Sequence, residues 1–250
     1  MTEEATTQED LEGVVLHSTF NRKIVRYGNR IVKSGPDLRP SEAETMRFIA
    51  ENTNIPIPRL YQDNSVSERS ITMEYVPGER LDMVWNTLPE EQKLSLADEL
   101  KGILAELRAL KGQYIGSLNR GHAIDGRKFD FAGGPFLTEG SFNQFLLSDA
   151  LKATPTVLRD IALRALRTDH EIVFTHSDFA PRNMIVKDGK IAGILDWEYS
   201  GWYPEYWEFV KTLNAADHRV NWYNYLGLIF PTCYETEYIN DRFLGSIVRH

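Results

Sequence analysis

The chain has 250 residues, of which 42% are hydrophobic and 26% charged, with a formal net charge of −8 and one cysteine, Cys233. This composition predicts a folded protein with a sizeable core, no internal disulfide and a reducing compartment. The acidic balance and the lack of a Lys/Arg run argue against a nucleic-acid partner. The polar start MTEEATTQED and the lack of an apolar run of roughly 18–20 residues argue against secretion and a membrane span. We expect a cytoplasmic protein without an obligate protein partner.

Short β-prone runs dominate the first part of the chain, after a polar tail, residues 1–12, that is expected to be disordered. Three runs lie within residues 14–33, and Gly28-Asn29 predicts a tight hairpin between the last two. Apolar residues at helical spacing then predict a helix from Ser41, which must end at the prolines of residues 55–58. Two more strands are expected in RLYQD and RSITMEYVPG.

The pattern becomes helical after residue 78. Thr87 and Glu90 form a capping-box pattern in front of a strongly amphipathic stretch, and two further helices are expected near residues 141–151 and 155–168. An aromatic tail, also expected to be helical, follows a hairpin.

This segregation of strands and helices predicts an α+β fold of two lobes. The small lobe, residues 13–77, would hold an antiparallel sheet and one helix. The larger lobe, residues 78–250, would be mostly helical with one embedded hairpin.

The stretch FTHSDFAPRNMIVKDGKIAGILDWE, residues 174–198, places polar residues at the ends of apolar runs. Asp188 is expected to be a turn residue, so the two arms pair around it and bring Asn183 and Asp196 to the open end of one hairpin. Asp178 lies on the loop before that hairpin and can converge with them. His176, at a strand end, is expected to have a structural role rather than a catalytic one.

Two acids and an amide in one place supply the hard oxygen ligands that suit Mg²⁺ and not zinc. One acid can orient a hydroxyl and take its proton while the other acid and the amide hold the metal, as in phosphoryl transfer by kinases. The competing interpretation is that these are turn residues, since Asp and Asn are common in turns.

HSDFAPRN followed by ILDWE resembles the catalytic loop and the metal motif of the aminoglycoside phosphotransferase and choline-kinase-like families, which share the protein-kinase-like fold. The resemblance implies that Asp178 is the catalytic base and that Asn183 and Asp196 are Mg²⁺ ligands. Ser177 stands where these families usually have glycine. The runs NTNIPIPRLY and GILDWEYSGWYPEYWE resemble the uncharacterised fungal members most closely.

The resemblance also assigns a nucleotide site to the small lobe. Lys33 matches the strand lysine of the family, and its partner should be Glu42, which lies on the apolar face of the predicted helix, with Glu44 as the alternative. Ser18 lies near a phosphate-covering loop that contains no glycine. The backbone of the connector between the lobes would bind the adenine of ATP, although GTP stays open. The connector residues are Met73, Glu74, Tyr75 and Val76.

The predicted function is therefore transfer of the γ-phosphate of ATP, with Mg²⁺, to a hydroxyl of a small molecule such as an aminoglycoside, an amino alcohol or a sugar-like compound. Acids and aromatic residues after Asp196 would suit a cationic acceptor, and the same aromatic residues would also suit simple packing. The alternative function is a pseudokinase-like scaffold that binds nucleotide without turnover. A protein kinase ranks last, because no Asp-Phe-Gly and Ala-Pro-Glu motifs are present.

Overall fold

The first part of the chain folds into a four-stranded antiparallel sheet in the order β1-β2-β3-β4. The computed structural model describes residues 12–39, 41–61, 69–125, 131–148, 154–217 and 219–247. The predicted hairpin at Gly28-Asn29 is confirmed, since Tyr27 pairs with Arg30. The strands are β1 Val14–Ser18, β2 Lys23–Tyr27, β3 Arg30–Ser34 and β4 Ser70–Glu74.

One helix, α1 Ser41–Asn52, accompanies this sheet as predicted. Its apolar positions Ala43, Met46 and Ile49 are buried in the core. The expected strand in RLYQD appears only as an isolated pairing of Leu60 with Met73, and residues 62–68 lie outside the described residues, as does most of the N-terminal tail.

The chain enters the larger lobe at β5 Glu79–Arg80, which pairs with β9 Met184–Lys187. Gly78 has φ +144°, and a Cβ there would lie 2.5 Å from the carbonyl oxygen of Val186. Only glycine fits so close an approach of two backbones. The lobe limits, 13–77 and 78–250, stay predictions.

The helical stretch after residue 78 begins later than its capping pattern predicts. Thr87 ends a short 3-10 turn and donates its hydroxyl to the carbonyl of Val84, and Pro89 occupies the position before the helix. The capping box was therefore wrong, because the threonine hydroxyl is used by the preceding turn. The predicted apolar stripe of this helix is confirmed, with Leu96, Leu100, Ile103 and Leu107 buried.

The larger lobe holds seven of the eight α-helices among the described residues and three small antiparallel sheets, β10-β9-β5, β11-β8 and β6-β7. No helix among the described residues is both long enough and apolar enough to cross a membrane. The remaining elements are α2 Leu81–Val84, α3 Glu90–Ala109, β6 Ala123–Ile124, β7 Ala132–Gly133, α4 Glu139–Ser148, α5 Thr156–Ala165, β8 Ile172–Thr175, β9 Met184–Lys187, β10 Lys190–Ile194, β11 Gly201–Pro204, α6 Trp207–Asn214, α7 Leu226–Ile229 and α8 Glu235–Ile247.

Candidate active site

The β9–β10 hairpin gathers the polar residues at its open end. Its arms pair around the Asp188-Gly189 turn, as predicted, with a bulge within residues 191–193 that adds one residue to the second arm. The N–H of Leu195 then donates to the carbonyl of Asn183 at 2.8 Å. The bulge explains why Asn183 and Asp196 share one end of the hairpin although they lie at unequal distances from the turn.

Asp178 lines a cavity of about 340 Å³ beside this end. The side-chain amide of Asn183 donates to Asp178 Oδ2 at 2.8 Å and to the Asp178 carbonyl at 2.9 Å. The guanidinium of Arg182 contacts the other carboxylate oxygen. A carboxylate held in this way can accept a proton from a hydroxyl bound in the cavity.

His176 connects the loop of Asp178 to the end of the hairpin. Its ring is fully buried, with Nε2 donating to the carbonyl of Leu195 at 2.9 Å and Nδ1 accepting the N–H of Asp178 at 3.2 Å. Burial lowers the pKa of His176, so that the ring is neutral. This arrangement agrees with the structural role that the sequence predicts.

Glu208 of α6 also holds the loop that carries Asp178. Its carboxylate accepts the backbone N–H groups of His176 and Ser177, the latter at 2.9 Å. Burial raises the pKa of Glu208 to about 7, against the effect of these two bonds. A fully buried carboxylate with two backbone donors fixes the conformation of the loop that carries Asp178.

Ser177 adopts a left-handed backbone conformation, with φ +66°. Such a conformation is costly for any residue that has a Cβ. It accounts physically for glycine at this position in the family that the sequence resembles. The serine hydroxyl lies 2.9 Å from that of Thr175.

Lys33 joins the small lobe to the hairpin. Its ammonium lies 2.7 Å from Glu42 Oε2 and 2.6 Å from Asp196 Oδ1, and its side chain is buried. Burial works against the charge, but the two carboxylates outweigh it and raise the pKa of Lys33. The structure therefore brings Lys33 and Glu42 together, whereas Glu44 is exposed and accepts a bond from Asn119.

Three carboxylates form a cluster at this point. Oxygens of Glu42, Asp196 and Glu198 all lie within 4.8 Å of one another. Burial, followed by the charge of Asp196, raises the pKa of Glu198. Only Lys33 and Arg22 bond to this cluster among the described residues, so the three carboxylates outnumber the cations that bond to them. An oxygen-rich, anionic donor set fits Mg²⁺.

Sequence reasoning missed the ion pair between Arg22 and Glu198. Arg22 lies in the β1–β2 connection, and its guanidinium bonds to Glu198 at 2.6 Å. A turn fixes its backbone, since the N–H of Arg22 donates to Thr19 Oγ1 at 3.1 Å. Ser18, which was predicted to lie near the phosphates, is the exposed last residue of β1.

The connector offers fewer free backbone groups than expected. The N–H of Glu74 donates to the carbonyl of Arg59, and the N–H of Tyr75 donates to the carbonyl of Asn29, both at 2.8 Å. The N–H of Val76 donates to no group among the described residues.

The cavity beside Asp178 has few acids in its wall. The three glutamates within residues 198–208 each have a protein partner: Glu198 bonds to Arg22, Glu205 accepts the hydroxyl of Tyr234, and Glu208 holds the loop of Asp178. None of the three lines the cavity. The lining residues are Ile124, Ser177, Asp178, Arg182, Tyr199, Trp207, Lys211, Asn214 and Ala215.

A family model described as "Phosphotransferase enzyme family" matches residues 9–227. No curated protein matches the chain.

Solved structures of aminoglycoside phosphotransferases match nearly the whole chain. The streptomycin–ATP ternary complex of APH(2'')-IIa is 17% identical, with a TM-score of 0.59 over 94% of this chain and 91% of its own. ADP-bound APH(2'')-Ib is 17% identical, with a TM-score of 0.55 over 93% and 92%. The GDP complex of aminoglycoside 2'-phosphotransferase-IIIa is 12% identical, with a TM-score of 0.58 over 93% and 82%. These matches confirm the predicted bilobal, protein-kinase-like fold.

Proposed function

The chain belongs to the phosphotransferase enzyme family, and on that premise we propose that it transfers the γ-phosphate of ATP, with Mg²⁺, to a hydroxyl of a small molecule in the cytoplasm. One observation carries the proposal. Asp178 lines a cavity at the same end of the hairpin where Asp196 meets Lys33 and Glu42. A base for the acceptor hydroxyl and a charged site for the phosphates thus lie side by side.

In this proposal Asp178 orients the acceptor hydroxyl and takes its proton. Asn183 and His176 hold Asp178 in place. Lys33, positioned by Glu42, binds the phosphates. Asp196, with Asn183, would hold Mg²⁺, and Glu198 lies close enough to Asp196 to contribute. When bound, the metal neutralises charge on the phosphate oxygens.

The nucleotide would lie along the connector, with its adenine bonded to the free N–H of Val76. We propose ATP as the donor, with GTP as the competitor to be measured, since related structures hold ATP, ADP or GDP.

For the acceptor, we infer a sugar-like hydroxylated molecule and not a polycation. Asp178 is the only carboxylate that lines the cavity in the described part of the chain, and Arg182 already contacts it. Lys211, the other charged lining residue, bonds to buried Asp125 at 3.0 Å and lies 3.6 Å from Asp241. The relatives were solved with streptomycin, gentamicin and kanamycin, which are polycations at neutral pH and would need more acids than this wall offers.

The test is ATP consumption with Mg²⁺ over a panel of neutral sugars and polyols, their amino counterparts and aminoglycosides. We expect turnover with a neutral sugar or polyol, and a loss of about 10²–10⁴-fold in Asp178→Ala. Turnover that survives Asp178→Ala would overturn the mechanism. Tight nucleotide binding without turnover on any acceptor would favour the pseudokinase-like scaffold, and a preference for aminoglycosides would overturn the acceptor class.

A further inference from the structure

Of the two cations that bond to the Glu42, Asp196 and Glu198 carboxylates, Arg22 has the more exposed side chain. Its side chain retains 23% of its exposure, whereas that of its partner Glu198 retains 3% and that of Lys33 retains 5%. The guanidinium can therefore turn within the cleft while the carboxylate stays in place.

Lys33 is already fully engaged. Its ammonium bonds to both oxygens of Glu42, at 2.7 and 2.9 Å, and to Asp196 at 2.6 Å. A lysine ammonium has three N–H donors, so Lys33 can bind phosphate only by releasing one of these acids. Beyond the proposed Mg²⁺, a polyphosphate of several negative charges would be held more tightly by a further cation of the protein here.

The backbone of the β1–β2 connection, which carries Arg22, is poorly suited to bind the phosphates in place of a cation. The β1–β2 connection has no glycine, and glycine is what lets a loop backbone approach phosphates closely. Its Thr19 N–H is also consumed, since it donates to the Arg22 carbonyl at 2.8 Å. The strongest donor that the loop offers is the planar fork of Arg22, which suits phosphate oxygens.

We propose that Arg22 is a phosphate-binding residue that Glu198 holds in reserve. Without nucleotide, Arg22 bridges the small lobe to Glu198; with nucleotide, the guanidinium passes to the phosphates and leaves Glu198 beside Asp196 for the cation. The inference rests on the nucleotide site of the proposed function and not on transfer to an acceptor.

The first measurement is the Kd for ATP in Arg22→Gln, without acceptor, by titration in the presence of Mg²⁺. Loss of charged hydrogen bonds to phosphate should raise the Kd by about tenfold. Arg22→Lys, which keeps the charge but not the fork, should lie between the wild type and Arg22→Gln. Arg167→Gln, an exposed arginine paired with Asp169, is the matched control and should leave the Kd unchanged.

The second measurement separates ligand binding from a merely structural bridge. Glu198→Gln frees Arg22, so in EDTA it should lower the Kd for ATP by about threefold or more, because the binding-competent fraction rises. The same variant should show a smaller gain in ATP affinity on adding Mg²⁺ than the wild type does. A structural bridge would make both Arg22→Gln and Glu198→Gln weaken ATP binding in EDTA.

The outcomes are distinct. A Kd in Arg22→Gln equal to that of the wild type, or weaker metal-free binding in Glu198→Gln, would overturn the inference while the proposed function stands. A wild type that does not bind ATP would overturn both. Melting temperatures of the nucleotide-free variants show that the folded protein is being titrated, and Arg22→Lys serves if Arg22→Gln does not fold.

Discussion

Two regions meet at the Asp178 loop, and they differ in how their charges are paired. On the proposed nucleotide side, Glu42, Asp196 and Glu198 crowd together and outnumber the cations Lys33 and Arg22 that bond to them. On the proposed acceptor side, Asp178 is contacted by Arg182, and Lys211 is held by Asp125.

This difference in charge pairing indicates which kind of ligand would suit each region. An excess of buried carboxylates is costly unless further cations arrive, and this suits a ligand that brings a divalent metal with its phosphates. A wall whose charges are already paired selects a ligand through shape and neutral hydrogen bonds. The predictions below test that contrast, beginning with the change that should disturb it most.

Lys33→Met should have the largest effect, because it leaves buried Glu42 and half-buried Asp196 without their shared cation. We expect the free energy of unfolding to fall by about 3–5 kcal/mol and ATP binding to be lost. Urea denaturation and ATP titration measure both. Lys190→Met, an exposed lysine on β10, should change stability by less than about 0.5 kcal/mol. A Lys33→Met protein as stable as the wild type would contradict the charge imbalance assigned to the nucleotide side.

Glu208→Gln removes part of the hydrogen bonding that holds the Asp178 loop, where the two proposed regions meet. An amide can accept with its oxygen but presents donors on its nitrogen, so one of the N–H groups of His176 and Ser177 would lose its acceptor. A buried donor without a partner costs about 1–3 kcal/mol, and kcat should fall because the Asp178 loop loosens. Chemical denaturation and turnover with the best acceptor measure this. Glu235→Gln, on an exposed position of α8, is the control, and equal effects of the two substitutions would refute the supporting role.

The sequence was sufficient for the parts of the site that local geometry determines. The pairing of the hairpin arms around the Asp188-Gly189 turn and the inward position of Glu42 on its helix follow from the local sequence. That Lys33 takes a glutamate of this helix as its partner was implied by the family resemblance. The roles of these residues in catalysis stay predictions.

Contacts between distant segments were out of reach. Arg22 and Glu198 are 176 residues apart, and nothing near Arg22 in the sequence distinguishes it from a surface arginine. The pairing of Lys211 with Asp125, which neutralises the acceptor wall, spans 86 residues. The glutamates after Asp196 suggested an acidic pocket for the same reason, because their protein partners lie elsewhere in the chain.

Ser177→Gly should relax the loop instead of disturbing it. The left-handed conformation at φ +66° is free of strain for glycine, although the greater freedom of the unfolded chain offsets part of the gain. We expect a stabilisation of about 0.5–1 kcal/mol, measured by thermal unfolding, with kcat preserved. Ser95→Gly, in the exposed face of α3, should instead destabilise by about 0.5–1 kcal/mol. Similar losses in both variants would mean that the Ser177 hydroxyl outweighs the strain.

His170 belongs to neither of the two proposed binding regions, and its substitution should give the smallest change in stability. Its ring is buried, with Nδ1 2.7 Å from Glu139 and Nε2 3.4 Å from Glu237. Burial and nearby Arg167 oppose protonation, but the bond to Glu139 outweighs them and raises the pKa of His170 above its ordinary value of 6.5. The protonated ring therefore adds stability that is complete below that ordinary value and is lost as the pH rises through the higher pKa of the folded state.

Chemical denaturation from pH 6 to pH 9 should accordingly show the wild type losing stability relative to His170→Gln, in which this dependence is absent. His17→Gln, on exposed β1, should follow the wild type. Because His170 lies outside both binding regions, the Kd for ATP should be the same in His170→Gln and the wild type at every pH. A change in that Kd would mean that the charge of His170 is felt at the proposed nucleotide site. The contrast between the two regions at the Asp178 loop would then have to include His170, Glu139 and Glu237.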